Sequence, residues 1–316
     1  SETANPFQAY QATRYVDTAI PHIPVTAHGL KENGYATIAT TNWLPYSWSI
    51  NNVAFAEVMH TALSYFQAGR ADAGYKLLKS SVLDGMYLGD SPGNFGQISF
   101  YDAARGECYR DFGDPIGVAS RVLIQGLFGI LPDALNKQII LRPGFPADWD
   151  KASVSTPDIS YRFTRKEDTD TYHITQRFQT PLHPVLQINA RKEKIRSVKV
   201  NDVPATWQSI ESAHGYPLLS IQAEGTSSTT ITIEWEGAPL HTLAAQEPVI
   251  ASNGKLALQI PSGASISQVY DPQSVLANHT VEATAFNAQI KGEPGHHTFF
   301  VYTHQGEMDW WQPVNI

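Results

Sequence analysis

The feature that most limits what this chain can fold into is a change of hydrophobic period between Ile130 and Gln138. Before it, Phe55, Met59, Leu63 and Phe66 recur at steps of three and four residues, the spacing of one helical face. After it, the segments SVKV and ITIEW alternate apolar and polar residues, as a strand with one buried face does. The two periods cannot share one packing layer, so the chain has to divide. The reading predicts a helical region over residues 1–135, a β-sandwich over 136–238 and a second β-rich module over 239–316, opened by the connector EGAPLHTLAAQEP. At 316 residues there is enough chain to build a core in each.

Local punctuation places the helices. Asn5 followed by Pro6 is a cap and first-turn pair for NPFQAYQATRYVDTA. Asn51 or Asn52 is the expected cap of the Phe55 helix and Gly69 its expected end, with ADAGYKLLKSSVLDGM as the antiparallel partner. Asp114 and Pro115 should open a last helix that runs to about Gly129.

Composition removes several classes of function. A net charge of −8 and the lack of any basic run argue against nucleic acid or an anionic membrane as partner. No segment has the length of a membrane-spanning helix. Cys108 is the lone cysteine of the sequence, which rules out an intrachain disulfide within it and a cysteine-built zinc site. The stretch SETANPFQAY lacks the basic and apolar regions of a signal peptide, and because signals are removed the compartment stays open. Charged residues are only 16% and aromatics 11%, a balance shared by sugar-binding surfaces and by ordinary all-β cores.

The segment GDPIGVASRVLIQGLFGILPD followed by IILRPGFPADWDKASVSTPDISYRF resembles the C-terminal region of six-hairpin glycosidases, the superfamily that includes bacterial α-L-rhamnosidases. The positions that carry the resemblance are Gly126, Gly129, Pro132, Leu141, Pro143, Pro146 and Trp149, within a match over about residues 35–240. The nearest impression is of bacterial polysaccharide-utilisation proteins. The resemblance implies a multidomain α plus β chain: a partial six-hairpin (α/α) barrel region followed by a β-sandwich and a further β-rich module. Six hairpins need far more helix than this stretch holds. The resemblance therefore also implies a missing N-terminal region or another chain that completes the barrel. It implies a carbohydrate substrate and a periplasmic or extracellular bacterial location as well.

The chemistry expected of such a chain is cleavage of a glycosidic bond by two carboxyl groups, one donating a proton and the other acting as base or nucleophile. Asp102, Arg105, Glu107, Arg110, Asp111 and Asp114 crowd one stretch, interleaved with Tyr101, Tyr109 and Phe112. Close like charges and partial burial raise a carboxyl pKa while a neighbouring arginine lowers it, so such a stretch can hold one acid and one base. Glu107, flanked by Gly106 and Cys108, is the first catalytic candidate, with Asp111 and Asp102 after it. The competing structural roles are a helix cap for Asp114, an ion pair for Arg110 with Asp111, and a solvated turn for Asp102.

Trp43, Tyr46 and Trp48 are candidates to stack on a sugar, with Tyr109 and Arg110 beside them and Asn42, Asn51 and Asn52 to bond hydroxyls. The alternative is that these aromatics plug a hairpin end. The loop with Asp90 and Asn94 is a further, weaker candidate. Two other functions stay open: a non-catalytic carbohydrate-binding or scaffold protein, and a polysaccharide lyase using Tyr101 or Tyr109 as base and Arg110 to neutralise a uronate. No cofactor is expected, because no glycine-rich phosphate motif, nucleophile elbow or HExxH occurs. No metal is expected either. His296, His297, His304, Glu307 and Asp309 are close in sequence, but strand alternation sends His297 and His304 to opposite faces.

Overall fold

The computed structural model describes residues 4–30, 34–40, 52–88, 100–102, 107–109, 113–241 and 247–316. They fall into two compact units. One is Ser1–Leu131 with Arg142–Asp148, the other Pro132–Leu141 with Trp149–Ile316.

The first unit holds four α-helices among the described residues: α1 (Pro6–Ala19), α2 (Phe55–Gln67), α3 (Ala71–Val82) and α4 (Asp114–Arg121). Asn5 caps α1 as a reciprocal box: its side chain accepts from the Gln8 N–H at 2.9 Å and Gln8 accepts from the Asn5 N–H at 3.1 Å. Gly69, at φ 72°, ends α2, and a three-residue turn leads into α3. Both α3 and α4 widen at their C-terminal ends into π-type turns, over Leu83–Leu88 and Val122–Leu127. Two sequence expectations shift here. Asn52 lies in a strand, Asn52–Ala54, and α2 starts after Ala54 with no side-chain cap. Asp114 is the first residue of α4 rather than its cap, and Gly113 precedes it.

Glycines decide how this unit packs. The Phe66 ring, at the end of α2, is buried against the backbones of Gly74, Gly126 and Gly144. A Cβ on Gly126 would stand 2.6 Å from that ring, and one on Gly144 would overlap it. Gly129 turns the chain at φ 64°, with the Arg142 carbonyl in the space where a side chain would begin. The return stretch is pinned by Arg142 N–H to Gly129 O at 2.9 Å and Gly144 N–H to Leu127 O at 3.0 Å. At the other end of α2, the Asp17 carboxylate accepts from Tyr65 at 2.6 Å and pairs with Arg70 at 2.5 Å, joining α1 to the α2–α3 turn. Burial, and then the bond to Asp17, push the Tyr65 hydroxyl far above the ordinary tyrosine pKa, so it stays a donor.

A partial (α/α) barrel was the expectation, and it is overturned. The structure is mostly β, 43% strand against 22% helix, and among the described residues no α/α barrel is evident. Between α1 and α2 the chain forms a pair of antiparallel strands, His22–Pro24 with Ala36–Ile38. The physical reason lies in what the glycine motif specifies. It fits one aromatic side chain of one helical hairpin against the returning chain, and the glycines that meet Phe66 are Gly74, Gly126 and Gly144. It sets no number of further hairpins.

The second unit opens with a two-layer sandwich. One sheet has the order Val203–Pro204, Lys192–Val200, Ser228–Pro239, Thr169–Gln176, Ile159–Lys166, Lys151–Ser155. The other runs Gln208–Ser209, Leu218–Gln222, His183–Asn189, Gln138–Leu141, Ile130–Asp133, with the His183 and Gln138 strands parallel. Alternation selects the inward set: Ile159, Tyr161 and Phe163, then Ile231, Ile233 and Trp235, meet Ile139, Leu141, Leu186, Leu219 and Ile221. Asp170 is 1% exposed, and its carboxyl group is satisfied three times: by Arg165 Nε at 3.0 Å, Arg191 Nη1 at 3.0 Å and Trp235 Nε1 at 3.1 Å.

Two three-stranded sheets follow. Lys255–Gln259, Ala285–Ile290 and Leu276–Glu282 pack against Ala264–Tyr270, Thr298–Gln305 and Met308–Asn315. Leu256, Phe286, Phe299, Val301 and Val314 fill the space between them. Backbone bonds tie this pair to the first sandwich. Trp311 N–H reaches Ala213 O at 2.8 Å, Gly215 N–H reaches Trp311 O at 2.9 Å, and Glu307 N–H reaches Glu193 O at 2.7 Å. Gly306, at φ 62°, passes so close to Glu193 that no side chain fits there.

Candidate functional site

Within the first unit, Asn52–Ala54, Phe100–Asp102 and Glu107–Tyr109 form a small antiparallel sheet. Its register pairs Asn52 with Asp102 and Asp102 with Glu107. One row across the three strands therefore reads Asn, Asp, Glu. The next row is Val53, Tyr101, Cys108, and the third is Ala54, Phe100, Tyr109. Rows alternate along a pleated strand, and Val53, in the second row, is fully buried. FYD and ECY carry the aromatic residues Phe100, Tyr101 and Tyr109, a residue type suited to strands.

Of the residues singled out from the sequence, this sheet brings together Asp102 and Glu107 as direct partners, with Tyr109 two residues along the same strand. Asp111, Arg110, Trp43, Tyr46 and Trp48 lie outside the described residues, as do Arg105, Asn42, Asn51, Asp90, Asn94 and Phe112. Asp114 is exposed at the start of α4, four residues of chain beyond Arg110.

The second unit has a cleft that the sequence did not announce. It encloses about 440 Å³ between the ends of the two sandwich sheets, lined by Gln138, His183, Val185 and Gln222 on one side and Val200, Val203 and Pro204 on the other. His183 Nδ1 accepts from the Gly225 N–H at 3.1 Å. It therefore has no proton to offer the Glu224 carboxylate 3.5 Å away while the ring is neutral. Glu224 is the sole carboxyl group of the lining, so this cleft cannot supply the two acidic groups that glycoside cleavage needs. Its parts come from separate strands between Gln138 and Glu224, and nothing short of the register could have joined them.

The histidine-rich C-terminal stretch does not converge. His304 Nδ1 meets Asp309 at 2.8 Å across a strand pair, His297 Nε2 lies 2.8 Å from the Glu293 carbonyl, and Glu307 accepts from the Ile195 N–H at 3.4 Å. Among the described residues no group of three His, Cys, Asp or Glu side chains could hold a metal ion. No described helix is long and apolar enough to cross a membrane.

No family model matches the chain, and no curated protein matches it. Among solved structures it is similar to the α-L-rhamnosidase from Dictyoglumus thermophilum, with a TM-score of 0.36 and 11% identity over 57% of this chain. The chain spans 21% of that protein's length. An overlay of this size settles neither fold nor activity.

Proposed function

We propose that this chain is a glycoside hydrolase, or the C-terminal portion of one, in which Asp102 and Glu107 act as the acid and base of glycosidic cleavage. The supporting observation is the register that makes these two residues direct partners across an antiparallel pair. Such partners stand about 5 Å apart at Cβ. Two carboxyl groups at that range divide between them the roles of acid and base that cleavage needs. The protonated member gives its proton to the glycosidic oxygen as the bond to the anomeric carbon breaks. The ionised member attacks that carbon or takes a proton from the attacking water. Asn52, the third residue of the row, is suited to bond a sugar hydroxyl. Asp111 is the reserve carboxylate, and Trp43, Tyr46, Trp48, Tyr109 and Arg110 are the proposed substrate-binding set.

The test uses the polypeptide as the cell makes it, on neutral plant- and host-type polysaccharides, with reducing ends as the readout. Glu107→Gln should lower the rate by about 10²–10⁴, the usual weight of a positioned acid or base. A product that absorbs in the near ultraviolet would indicate an unsaturated sugar and replace hydrolysis by elimination. Unchanged rates in both Glu107→Gln and Asp102→Asn would remove the proposal.

A further inference from the structure

The outer face of the C-terminal sheet formed by Ala264–Tyr270, Thr298–Gln305 and Met308–Asn315 is built unlike a solvated sheet face. Phe299, Val301 and Val314 point into the core, so alternation sets Phe300, Tyr302 and Trp311 on the opposite side. Phe300 is nonetheless 0% exposed; its cross-strand neighbour Tyr270 has its ring centroid 6.3 Å away at 29°, and His214 stands edge-on at 6.3 Å. Above this floor the rings stay partly open. Tyr270 is 40% exposed, and Trp311 is half-buried with Tyr302 at 5.1 Å and Tyr270 at 6.4 Å.

The base of this cluster is rigid. Trp311 lies opposite Tyr302 in the sheet, and both of its backbone groups are bonded to the sandwich loop: its N–H to Ala213 O at 2.8 Å and its carbonyl to the Gly215 N–H at 2.9 Å. Polar groups border the rings. The His304–Asp309 pair lies two residues along from Tyr302 and Trp311, on the same face, and Gln268 sits opposite Tyr302 and is exposed. Burial first, then the charges of Asp309 and Glu211, raise the Tyr302 pKa, so its hydroxyl remains protonated and those two carboxylates lie within its field.

We propose that this face is a glycan-binding platform for a neutral polysaccharide, with Tyr270 and Trp311 as the stacking surfaces. A pyranose has a flat face of C–H groups and a rim of hydroxyls, and it needs flat rings bordered by planar polar groups; Gln268, His304 and Asp309 supply that border. The nearby carboxylates of Asp309 and Glu211 repel a uronate or sulfated chain, which selects a neutral one. A stable protein partner would need about 800 Å² on each side, far more than three rings offer. The inference does not rest on Asp102 and Glu107, because binding on this face needs no bond cleavage.

Affinity electrophoresis through gels cast with xyloglucan, galactomannan or mixed-linkage β-glucan, and separately with polygalacturonate, tests it. At least one neutral glycan should retard the chain and polygalacturonate should not. Trp311→Ala should weaken retardation roughly tenfold or more, the weight of one anchoring aromatic in an interface. Tyr270→Ala and Gln268→Ala, on the open rim, should each weaken it with an unchanged circular dichroism spectrum, so the result does not depend on how well Trp311→Ala folds. Glu107→Gln should be retarded like the wild type, which separates this outcome from that of the catalytic proposal. Absence of retardation in every neutral glycan, equal retardation of the Tyr270 and Gln268 variants, or retardation by polygalacturonate alone would overturn it. So would sedimentation showing that the same substitutions dissolve a dimer in the absence of any glycan.

Discussion

Around Phe66 the chain makes room by leaving side chains out: Gly74, Gly126 and Gly144 bring backbone against the ring. Around Asp170 it does the reverse, converging two guanidinium groups and an indole N–H on one buried carboxylate. Both arrangements fix one geometry, but they fail differently. The glycine socket tolerates nothing larger, whereas the charged knot tolerates nothing missing. The contrast also explains why the GLFGILPD…RPGFP motif suggested a barrel that is not evident here. A socket for one aromatic ring is a local device, and it says how a helix end meets a returning strand without saying how many helices stand around it.

Substitutions can break this contrast, and the largest effect should come from Asp170. Asp170→Ala leaves Arg165, Arg191 and the Trp235 N–H without their shared acceptor, and should destabilise the sandwich unit by about 3–5 kcal/mol, read by urea denaturation followed through Trp fluorescence. Asp170→Asn, which keeps the shape and loses the charge, should recover only part of that.

Gly126→Ala comes next. Forcing a methyl into the Phe66 ring should cost about 1–3 kcal/mol, and Phe66→Leu in the same chain should return some of it, because the clash is with the ring itself. Gly263→Ala is the control. Gly263, unlike Gly126, sits in the left-handed region, at φ 93°, and has open space where the methyl would go, so backbone strain of about 1 kcal/mol with no clash should be the whole cost. A Gly126→Ala loss that Phe66→Leu does not reduce would show that the Phe66 socket is not what the motif protects.

Asn5→Ala should remove the capping box and cost about 1 kcal/mol, visible as faster amide exchange in the first turn of α1. The smallest effect is electrostatic. The Ala238 N–H bond, and then the Gln305 side chain, hold the Glu193 carboxyl below its ordinary pKa. A lowered folded-state pKa means that this contribution is present above the ordinary carboxylate value and fades as pH falls through the lowered one. Gln305→Leu should therefore raise the Glu193 titration midpoint seen by carboxyl-carbon NMR. A midpoint that does not move would assign the shift to the Ala238 bond alone.

Much of the helical pattern was legible because it is local. The Phe55–Phe66 stripe, the Asn5–Pro6–Gln8 cap and the Gly69 stop each depend on neighbours within a few residues. Asn52 was misread because a distant partner won: it pairs with Asp102, fifty residues on, instead of capping α2. The strands Phe100–Asp102 and Glu107–Tyr109 are too short to display alternation, so a carboxylate-rich loop was visible but not the register that makes Asp102 and Glu107 partners. The aromatic face was hidden for a different reason. In TFFVYTHQ and MDWWQP both faces of each strand are apolar, which erases the period-two signal that would have separated core rings from surface rings.

The central claim, that Asp102 and Glu107 work as one pair, is tested most directly by a double-mutant cycle on kcat/KM with Asp102→Asn, Glu107→Gln and both together. Residues that act as a unit lose nearly everything with the first removal. The account predicts that each single variant falls by about 10²–10⁴ and that the double variant falls little further. Losses that simply multiply, or single variants that turn over at the wild-type rate, would contradict it.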